Sequence, residues 1–112
     1  MFNEKYSHEK KFTYDSSKNE FIELNELVNT HNMKEFPVRA LFTYDAKYGT
    51  RACVVTDGFN VNVPKHLNDD VKSILSHDDE IAAINAGKCG FRVKYYIDSN
   101  NVQRISGNFF DM

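Results

Sequence analysis

Five stretches in the last two thirds of the chain have the residue types or the two-residue period of β-strands. They are VRALFTYD, RACVVT, FNVNV, KCGFRVKYYID and VQRISGNFF. The third stretch alternates most regularly, with Phe59, Val61 and Val63 opposite Asn60 and Asn62. The Asp-Gly pair before it is a hairpin turn signal. The pattern therefore predicts three strands that follow one another, and two more near the end.

Two of these strands show which side chains share a face. VRALFTYD places Val38, Ala40, Phe42 and Tyr44 on one face. Within KCGFRVKYYID, the segment 91–97 separates an apolar face from a polar one. The apolar face carries Phe91, Val93, Tyr95 and Ile97, and the polar face carries Arg92, Lys94 and Tyr96.

Helical spacing of apolar residues appears between the third and fourth strands. HLNDDVKSIL places Leu67, Val71, Ile74 and Leu75 on one face, and a shorter helix is predicted in DDEIAAINA. A further helix is predicted near residues 20–30, although FIEL within it also suits a short strand. Residues 1–18 are polar and mixed in charge, and we expect an extended or partly ordered N-terminal arm. The rest of the chain, residues 19–112, is predicted to form a single domain.

The order of the predicted elements indicates a fold class. Three meandering strands, a helix and a final hairpin are the connectivity of the OB-fold, a five-stranded Greek-key barrel. We therefore predict a β-rich α+β fold with an OB-like β-β-β-α-β-β barrel and an added N-terminal helix or arm. A half-open α+β sandwich gives a similar order and is the alternative. In such a barrel the ligand crosses strands two and three, between loops that correspond here to DAKYGT and DSNN.

Composition adds little to this picture. The chain has 112 residues and a formal net charge of −2, so attraction for nucleic acid must come from local segregation of charge. No apolar run approaches the roughly 20 residues of a membrane span, and the first residues lack the apolar stretch of a secretory signal. We therefore expect a cytoplasmic location and no membrane partner. Cys53 and Cys89 lie in apolar runs and are interpreted as reduced core residues.

Charge is segregated along the chain. Residues 69–80 contain five acids and one lysine; without them, the chain after Pro37 has eight Lys or Arg against four Asp or Glu. A basic surface with aromatic rings is how proteins bind single-stranded nucleic acid. The candidate residues for such binding are Arg39, Lys47, Tyr48, Arg51, Asn60, Asn62, Arg92, Lys94, Tyr96 and Arg104.

Three other interpretations stay open at this point. Cations on the exposed face of a strand are often only solvated groups that discourage edge pairing. A second function is binding of a host protein with a basic surface, such as a defence nuclease, in an anti-CRISPR-like role. The acids of the helical insert would make that contact: Asp69, Asp70, Asp78, Asp79 and Glu80. A third is a homodimer, formed through the edge of FNVNV or of the last strand.

The sequence contains none of the motifs that we associate with catalysis or cofactor binding. The four histidines are scattered, and no His or Cys pair has the spacing of zinc ligands. A P-loop, a dinucleotide-binding glycine motif and a nucleophile elbow are also missing. The acid pairs lie at the starts of predicted helices, where the helix dipole stabilises them. We therefore predict a protein that is not an enzyme and uses no cofactor or metal.

Two segments carry a resemblance to a known group of proteins. KYGTRACVVTDGFNVNVPKHL and INAGKCGFRVKYY resemble small proteins of phages and mobile elements of Gram-positive bacteria. The resemblance covers the chain from Pro37 onward. It implies an OB-type module that binds single-stranded DNA in the cytoplasm of the host cell. The chain departs from well-known proteins of that kind because it has no tryptophan, a frequent stacking residue.

Overall fold

The computed structural model describes residues 12–47 and 49–112, which form an α+β fold with two β-sheets. The strands, in chain order, are β1 (Glu20–Glu23), β2 (Glu35–Pro37), β3 (Ala40–Ala46), β4 (Gly49–Thr56), β5 (Phe59–Asn62), β6 (Cys89–Ile97) and β7 (Gln103–Asp111). The helices are α1 (Leu24–His31), α2 (Asn68–Leu75) and α3 (Asp78–Asn85), and a 3₁₀ turn (Lys65–Leu67) leads into α2.

The strands are divided between a four-stranded and a three-stranded sheet. The first has the order β1-β5-β4-β3, and the second has the order β2-β6-β7. All pairs are antiparallel except β1 with β5, which is parallel. Because β5 is paired on both sides, the prediction that FNVNV offers a free edge is wrong.

The chain passes from one sheet to the other between Val38 and Arg39. The Val38 N–H donates to the Cys89 carbonyl at 2.9 Å, and the Arg39 N–H donates to the Val55 carbonyl at 2.7 Å. This corner connects the two sheets on one side. Among the described residues, no strand pairing connects them on the other side. The structure thus confirms an α+β fold but does not confirm the predicted five-stranded barrel.

The core lies between the sheets and is completed by the helices. Its buried residues come from every layer: Leu41, Val54 and Val61 from the four-stranded sheet, Phe36 and Phe91 from the other, Leu24 and Leu27 from α1, Val71 from α2 and Ile84 from α3. Burial of apolar surface at about 25 cal/mol per Å² is the main stabilisation of such a core. The short amphipathic helices are held mainly by this packing rather than by their own propensity.

Phe42 and Tyr44 share a face of β3 as predicted, but Val38 does not share it. Leu41 faces the core, with only 2% of its surface exposed, whereas Phe42 and Tyr44 lie half-buried on the outer face. Val38 also faces the core, because it precedes the corner where the chain changes sheets. The two-residue period is interrupted there, so residues before and after the corner do not share a face.

The N-terminal part combines the two structures predicted for residues 20–30. FIEL begins within β1, and α1 begins at Leu24. Before β1, Asn19 donates from Nδ2 to the Thr56 carbonyl at 2.9 Å and to Asn60 Oδ1 at 3.2 Å. Within the predicted arm, the Tyr14 hydroxyl accepts from the Gly58 N–H at 3.4 Å, so the end of the arm contacts the turn between β4 and β5. Residues 1–11 of that arm lie outside the described part of the chain.

Strands β6 and β7 form a long hairpin that extends past the core. Phe91 is fully buried, but Tyr95 and Ile97, further along the same apolar face, are 47% and 60% exposed. The predicted alternation of β6 is confirmed, and its apolar face leaves the core half-way along. In the described ranges, no helix is long and apolar enough to cross a membrane.

Candidate nucleic-acid interface

The outer face of the β6–β7 hairpin collects four of the predicted binding residues. Arg92, Lys94 and Tyr96 alternate along β6 and are exposed. In the register of the hairpin, Tyr96 lies opposite Arg104 on β7. Residues directly opposite on antiparallel strands point to the same side. We call this surface the hairpin face, formed by Arg92, Lys94, Tyr96, Arg104, Ser106 and Asn108.

Both arginines of the hairpin face are paired with carboxylates. Arg92 Nε lies 2.7 Å from Glu35 Oε1 on β2, and the guanidinium stacks 4.5 Å above the Phe110 ring. Arg104 Nε lies 2.8 Å from Asp98 Oδ2. These pairs reduce the net positive charge that the sequence predicted for this surface.

Asp98 also holds the turn of the hairpin. Its Oδ1 accepts hydrogen bonds from the N–H groups of Asn100 at 2.9 Å and of Val102 at 3.0 Å. The hydrogen bond from Arg104, followed by the bond from Val102, lowers the pKa of the Asp98 carboxyl below its ordinary value. The same contact raises the pKa of the Arg104 guanidinium. Asp98 therefore stays ionised and fixes Arg104 beside the turn.

His66 contributes to the hairpin face although it was not among the predicted residues. Its Nε2 lies 2.6 Å from Ser106 Oγ, and its ring meets the Tyr96 ring edge-on at 5.9 Å. His66 belongs to the 3₁₀ turn and is 40 residues away from Ser106 in sequence. No local pattern marks such a long-range contact, so sequence reasoning had no signal for it.

Lys94 is held on the same face by a polar neighbour. In the orientation that satisfies both amide atoms, Asn108 accepts from Lys94 Nζ at 2.8 Å and donates to the Gly107 carbonyl at 2.9 Å. An amide partner leaves the full charge of the ammonium in place. Lys94 is therefore the member of the hairpin face whose charge is not matched by a carboxylate in these contacts.

The other predicted cations lie elsewhere. Arg39 makes a two-point ion pair with Asp57, at 3.1 and 3.2 Å. Arg51 lies on the outer face of the four-stranded sheet, where its Nη2 is 3.0 Å from Glu23 Oε1. Lys47 follows β3 in the turn to β4, and Tyr48 lies outside the described residues. The structure thus does not bring Arg39 and Arg51 together with the hairpin face.

Asn60 and Asn62 are buried, in contrast to the exposed position expected for binding residues. Their exposed fractions are 5% and 9%. Asn62 accepts from the Tyr44 hydroxyl at 2.8 Å and donates to Glu23 Oε2 at 2.8 Å, and Asn60 accepts from Asn19. Buried amides need such partners. Both residues therefore hold the sheet together instead of presenting groups to a ligand.

The acids of the helical insert occupy the first turns of two successive helices. Asp69 and Asp70 begin α2, and Asp78, Asp79 and Glu80 begin α3. All five are exposed. Negative charge in a first turn stabilises a helix through its dipole. This role explains their positions, and it also leaves the five carboxylates accessible on one insert.

The cysteines and the other candidate ligands show no sign of a reactive centre. Cys53 and Cys89 are free thiols, and burial raises their pKa values to about 12 and about 11. Such thiols stay protonated and unreactive at neutral pH. In the part of the chain that the structure describes, no three His, Cys, Asp or Glu side chains are grouped to hold a metal ion.

The chain matches no protein-family model, no curated protein and no solved structure. What the hairpin face can do therefore follows from its own groups. Guanidinium and ammonium groups bind phosphates, and tyrosine or histidine rings stack on bases. Hydroxyl and amide groups between them can accept or donate further hydrogen bonds. The face is thus suited to noncovalent recognition of a polar ligand.

Proposed function

We propose that the chain is a non-catalytic binding module of a phage or mobile element that binds single-stranded nucleic acid on the hairpin face. One observation carries the proposal: Arg92, Lys94, Tyr96 and Arg104 project from the same face of one exposed hairpin. His66 adds a second ring beside Tyr96. Phosphates would contact the three cations, and bases would stack on the two rings.

The ion pairs of this face are compatible with phosphate binding. The side chains of Arg92 and Glu35 are 53% and 54% exposed, and that of Arg104 is 55% exposed. Exposed ion pairs contribute only about 0–1 kcal/mol. A phosphate with two acceptor oxygens can therefore replace Glu35 on the guanidinium of Arg92 at little cost.

The order of the strands supports a relation to the OB-fold. Strands β3, β4 and β5 form a meander, α2 and α3 follow, and the β6–β7 hairpin comes last. In OB-folds the loop of this last hairpin borders the ligand path. We propose that the two sheets are an opened version of that barrel, with the extra strand β1 beside β5.

The test is fluorescence anisotropy of a labelled oligo-dT, compared with a duplex of the same length, over a series of salt concentrations. The wild-type protein should prefer the single strand. The double variant Arg92→Gln/Lys94→Gln should bind more weakly, and its salt slope should fall by about 0.7 for each lost phosphate contact. Tyr96→Leu should weaken binding with the salt slope unchanged, because stacking does not release counterions.

The matched control is Arg39→Gln/Lys72→Gln, which also removes one arginine and one lysine, at positions outside the hairpin face. Lys72 is exposed on α2, and Arg39 is paired with Asp57. This control should keep most of the affinity. Equal weakening by both double variants would mean that only net charge matters, and the assignment of the hairpin face would be wrong.

The second candidate function is binding of a basic host protein through the acidic insert. It is favoured by the exposure of Asp69, Asp70, Asp78, Asp79 and Glu80 on neighbouring helices. Replacement of Asp69, Asp70 and Asp79 by Lys should abolish capture of such a partner and leave oligo-dT binding intact. Loss of oligo-dT binding in that variant would argue against two separate surfaces.

A further inference from the structure

A cleft of about 870 Å³ lies along strand β3 of the four-stranded sheet, and its described lining residues include none of the hairpin face. Its walls are strand β3 and the segment that precedes β1, residues 12–17. Four aromatic rings line it: Phe12, Tyr14, Phe42 and Tyr44. Small-molecule sites typically have volumes of about 300–1,000 Å³ and mostly apolar or aromatic walls with a few polar groups. The cleft has this size and this character.

Hydrogen bonds fix two of these rings in place. The Tyr44 hydroxyl donates to the buried Asn62 Oδ1 at 2.8 Å. The Tyr14 hydroxyl donates to Asn19 Oδ1 at 3.2 Å and accepts from the Gly58 N–H at 3.4 Å. The Phe42 and Tyr44 ring centroids are 6.1 Å apart. A wall that is already ordered costs less conformational entropy when a ligand binds.

The charge of the cleft differs in sign from that of the hairpin face. Among its described lining residues, Asp15 alone carries a charge. The Asp15 carboxylate accepts from the Ser17 N–H at 3.0 Å. Hydrogen bonds from Ser17, first from its N–H and then from its hydroxyl, lower the pKa of Asp15, and the charge of Lys18 lowers it slightly further. Asp15 is therefore the charge that the described lining residues offer to a ligand, and it would repel a phosphate.

We propose that the cleft binds an organic cation with an apolar surface, either a free quaternary ammonium compound or the guanidinium of a partner's arginine. The faces of aromatic rings attract cations, and groups of such rings bind quaternary ammonium ligands. The carboxylate of Asp15 supplies a countercharge at the same opening. Tyr44 and Phe42 form the inner wall against which the cation packs.

The first experiment is a titration of the full chain with choline, followed by NMR, beside a titration with 3,3-dimethylbutan-1-ol. The alcohol has the shape of choline without its charge. Choline should shift the signals of Tyr14, Phe42 and Tyr44 and should bind about fivefold more tightly than the alcohol, the effect expected of one cation–π contact. Equal binding of the two compounds, or no shift at these residues, would overturn the proposal.

The source of the cation is distinguished by a second ligand, N-acetyl-arginine amide. Tighter binding of this compound than of choline indicates a peptide partner, and the reverse order indicates a free ammonium compound. Oligo-dT should not displace either ligand, since the hairpin face is a separate surface. Displacement by oligo-dT would show that the cleft belongs to the nucleic-acid path and would contradict the proposal.

Two variants test the roles of the residues. Asp15→Asn should weaken choline binding several-fold, and Phe42→Leu should weaken it while leaving the alcohol nearly unaffected. The matched control is Asp45→Asn, an exposed acid of β3 that does not line the cleft. Equal weakening by Asp15→Asn and Asp45→Asn would show that only the overall charge contributes. The folded state of each variant is checked from its amide spectrum, so loss of structure is not mistaken for loss of binding.

Discussion

Arg92 Nε donates to Glu35 Oε1 across 2.7 Å, between the two neighbouring strands β6 and β2. The two residues are 57 positions apart in sequence and directly opposite in the sheet. Together with the pair between Arg104 and Asp98, this ion pair reduces the positive charge that the hairpin face presents.

Replacement of Glu35 by Gln should strengthen binding of oligo-dT to the hairpin face. The change leaves the guanidinium of Arg92 without its carboxylate, and the affinity should rise about 2–5-fold at low salt. The free energy of unfolding should change by less than about 1 kcal/mol. Anisotropy and urea unfolding measure the two quantities. Glu26→Gln, an exposed acid on α1, is the control and should leave the affinity unchanged. Weaker binding by the Glu35 variant would mean that the ion pair positions Arg92 for its ligand.

A buried polar network on the four-stranded sheet should be important for stability. Asn62→Ala removes the acceptor of the Tyr44 hydroxyl and a donor to Glu23. The loss should be about 1–3 kcal/mol, because two hydrogen bonds are lost and the half-buried Tyr44 hydroxyl is left without its acceptor. Urea unfolding of the variant measures it. Asn29→Ala, at an exposed position of α1, should change stability by no more than about 0.5 kcal/mol. A similar loss in both variants would show that the network contributes no more to stability than an exposed side chain does.

The sequence predicted most of the single elements and little of their assembly. Strands β4 to β7 and helices α2 and α3 follow from local periodicity, and the polar face of β6 was assigned correctly. The division into two sheets depends on pairings such as β1 with β5, which no local pattern specifies. The predicted barrel is not confirmed at this level, because the corner after Val38 is the one connection between the two sheets among the described residues.

The candidate site was predicted only in part, because sequence patterns do not show which distant residues become neighbours. Counting charges after Pro37 suggested a basic surface, but the acids that pair with Arg51 and Arg92 lie before that point, at Glu23 and Glu35. These partners are 28 and 57 residues away from the arginines. Asn60 holds a polar position in the alternating pattern of FNVNV, which predicts exposure, and yet it is buried and bonded to Asn19. Long-range contacts determine whether these side chains are buried or paired, and composition carries no information about such contacts.

Gly107 should be needed for the packing of the hairpin on the core. A methyl group at this position would collide with the ring of Phe91 and would lie 2.8 Å from the carbonyl oxygen of Arg92. Because the carbonyl belongs to the backbone of β6, it cannot move aside without breaking the pairing of the hairpin. Gly107→Ala should therefore lower the free energy of unfolding by about 1–3 kcal/mol or more. Urea unfolding is the measurement.

Two further variants make this prediction specific. Gln103→Ala, at an exposed position of the same strand, should have little effect. In the double variant Gly107→Ala/Phe91→Leu, the smaller side chain relieves part of the collision. The loss of unfolding free energy in the double variant should therefore be smaller than the sum of the losses in the two single variants. Full additivity of the two losses would mean that the methyl group does not collide with the Phe91 ring.

The turn of the hairpin should loosen in acid, and Asp98 should be the cause. Hydrogen bonds from Arg104 and from the N–H groups of Val102 and Asn100 lower the pKa of Asp98 in the folded protein. A carboxyl with a lowered pKa stabilises the folded state above its unfolded pKa, about pH 4. That stabilisation is lost as the pH falls through the folded pKa.

NMR of the Asn100 and Val102 amides from pH 6 to pH 2 should show both signals moving together, with a midpoint below pH 4. In Asp98→Asn this shared transition should be absent. A midpoint at or above pH 4 in the wild type would show that the bonds to Asp98 are not maintained in solution.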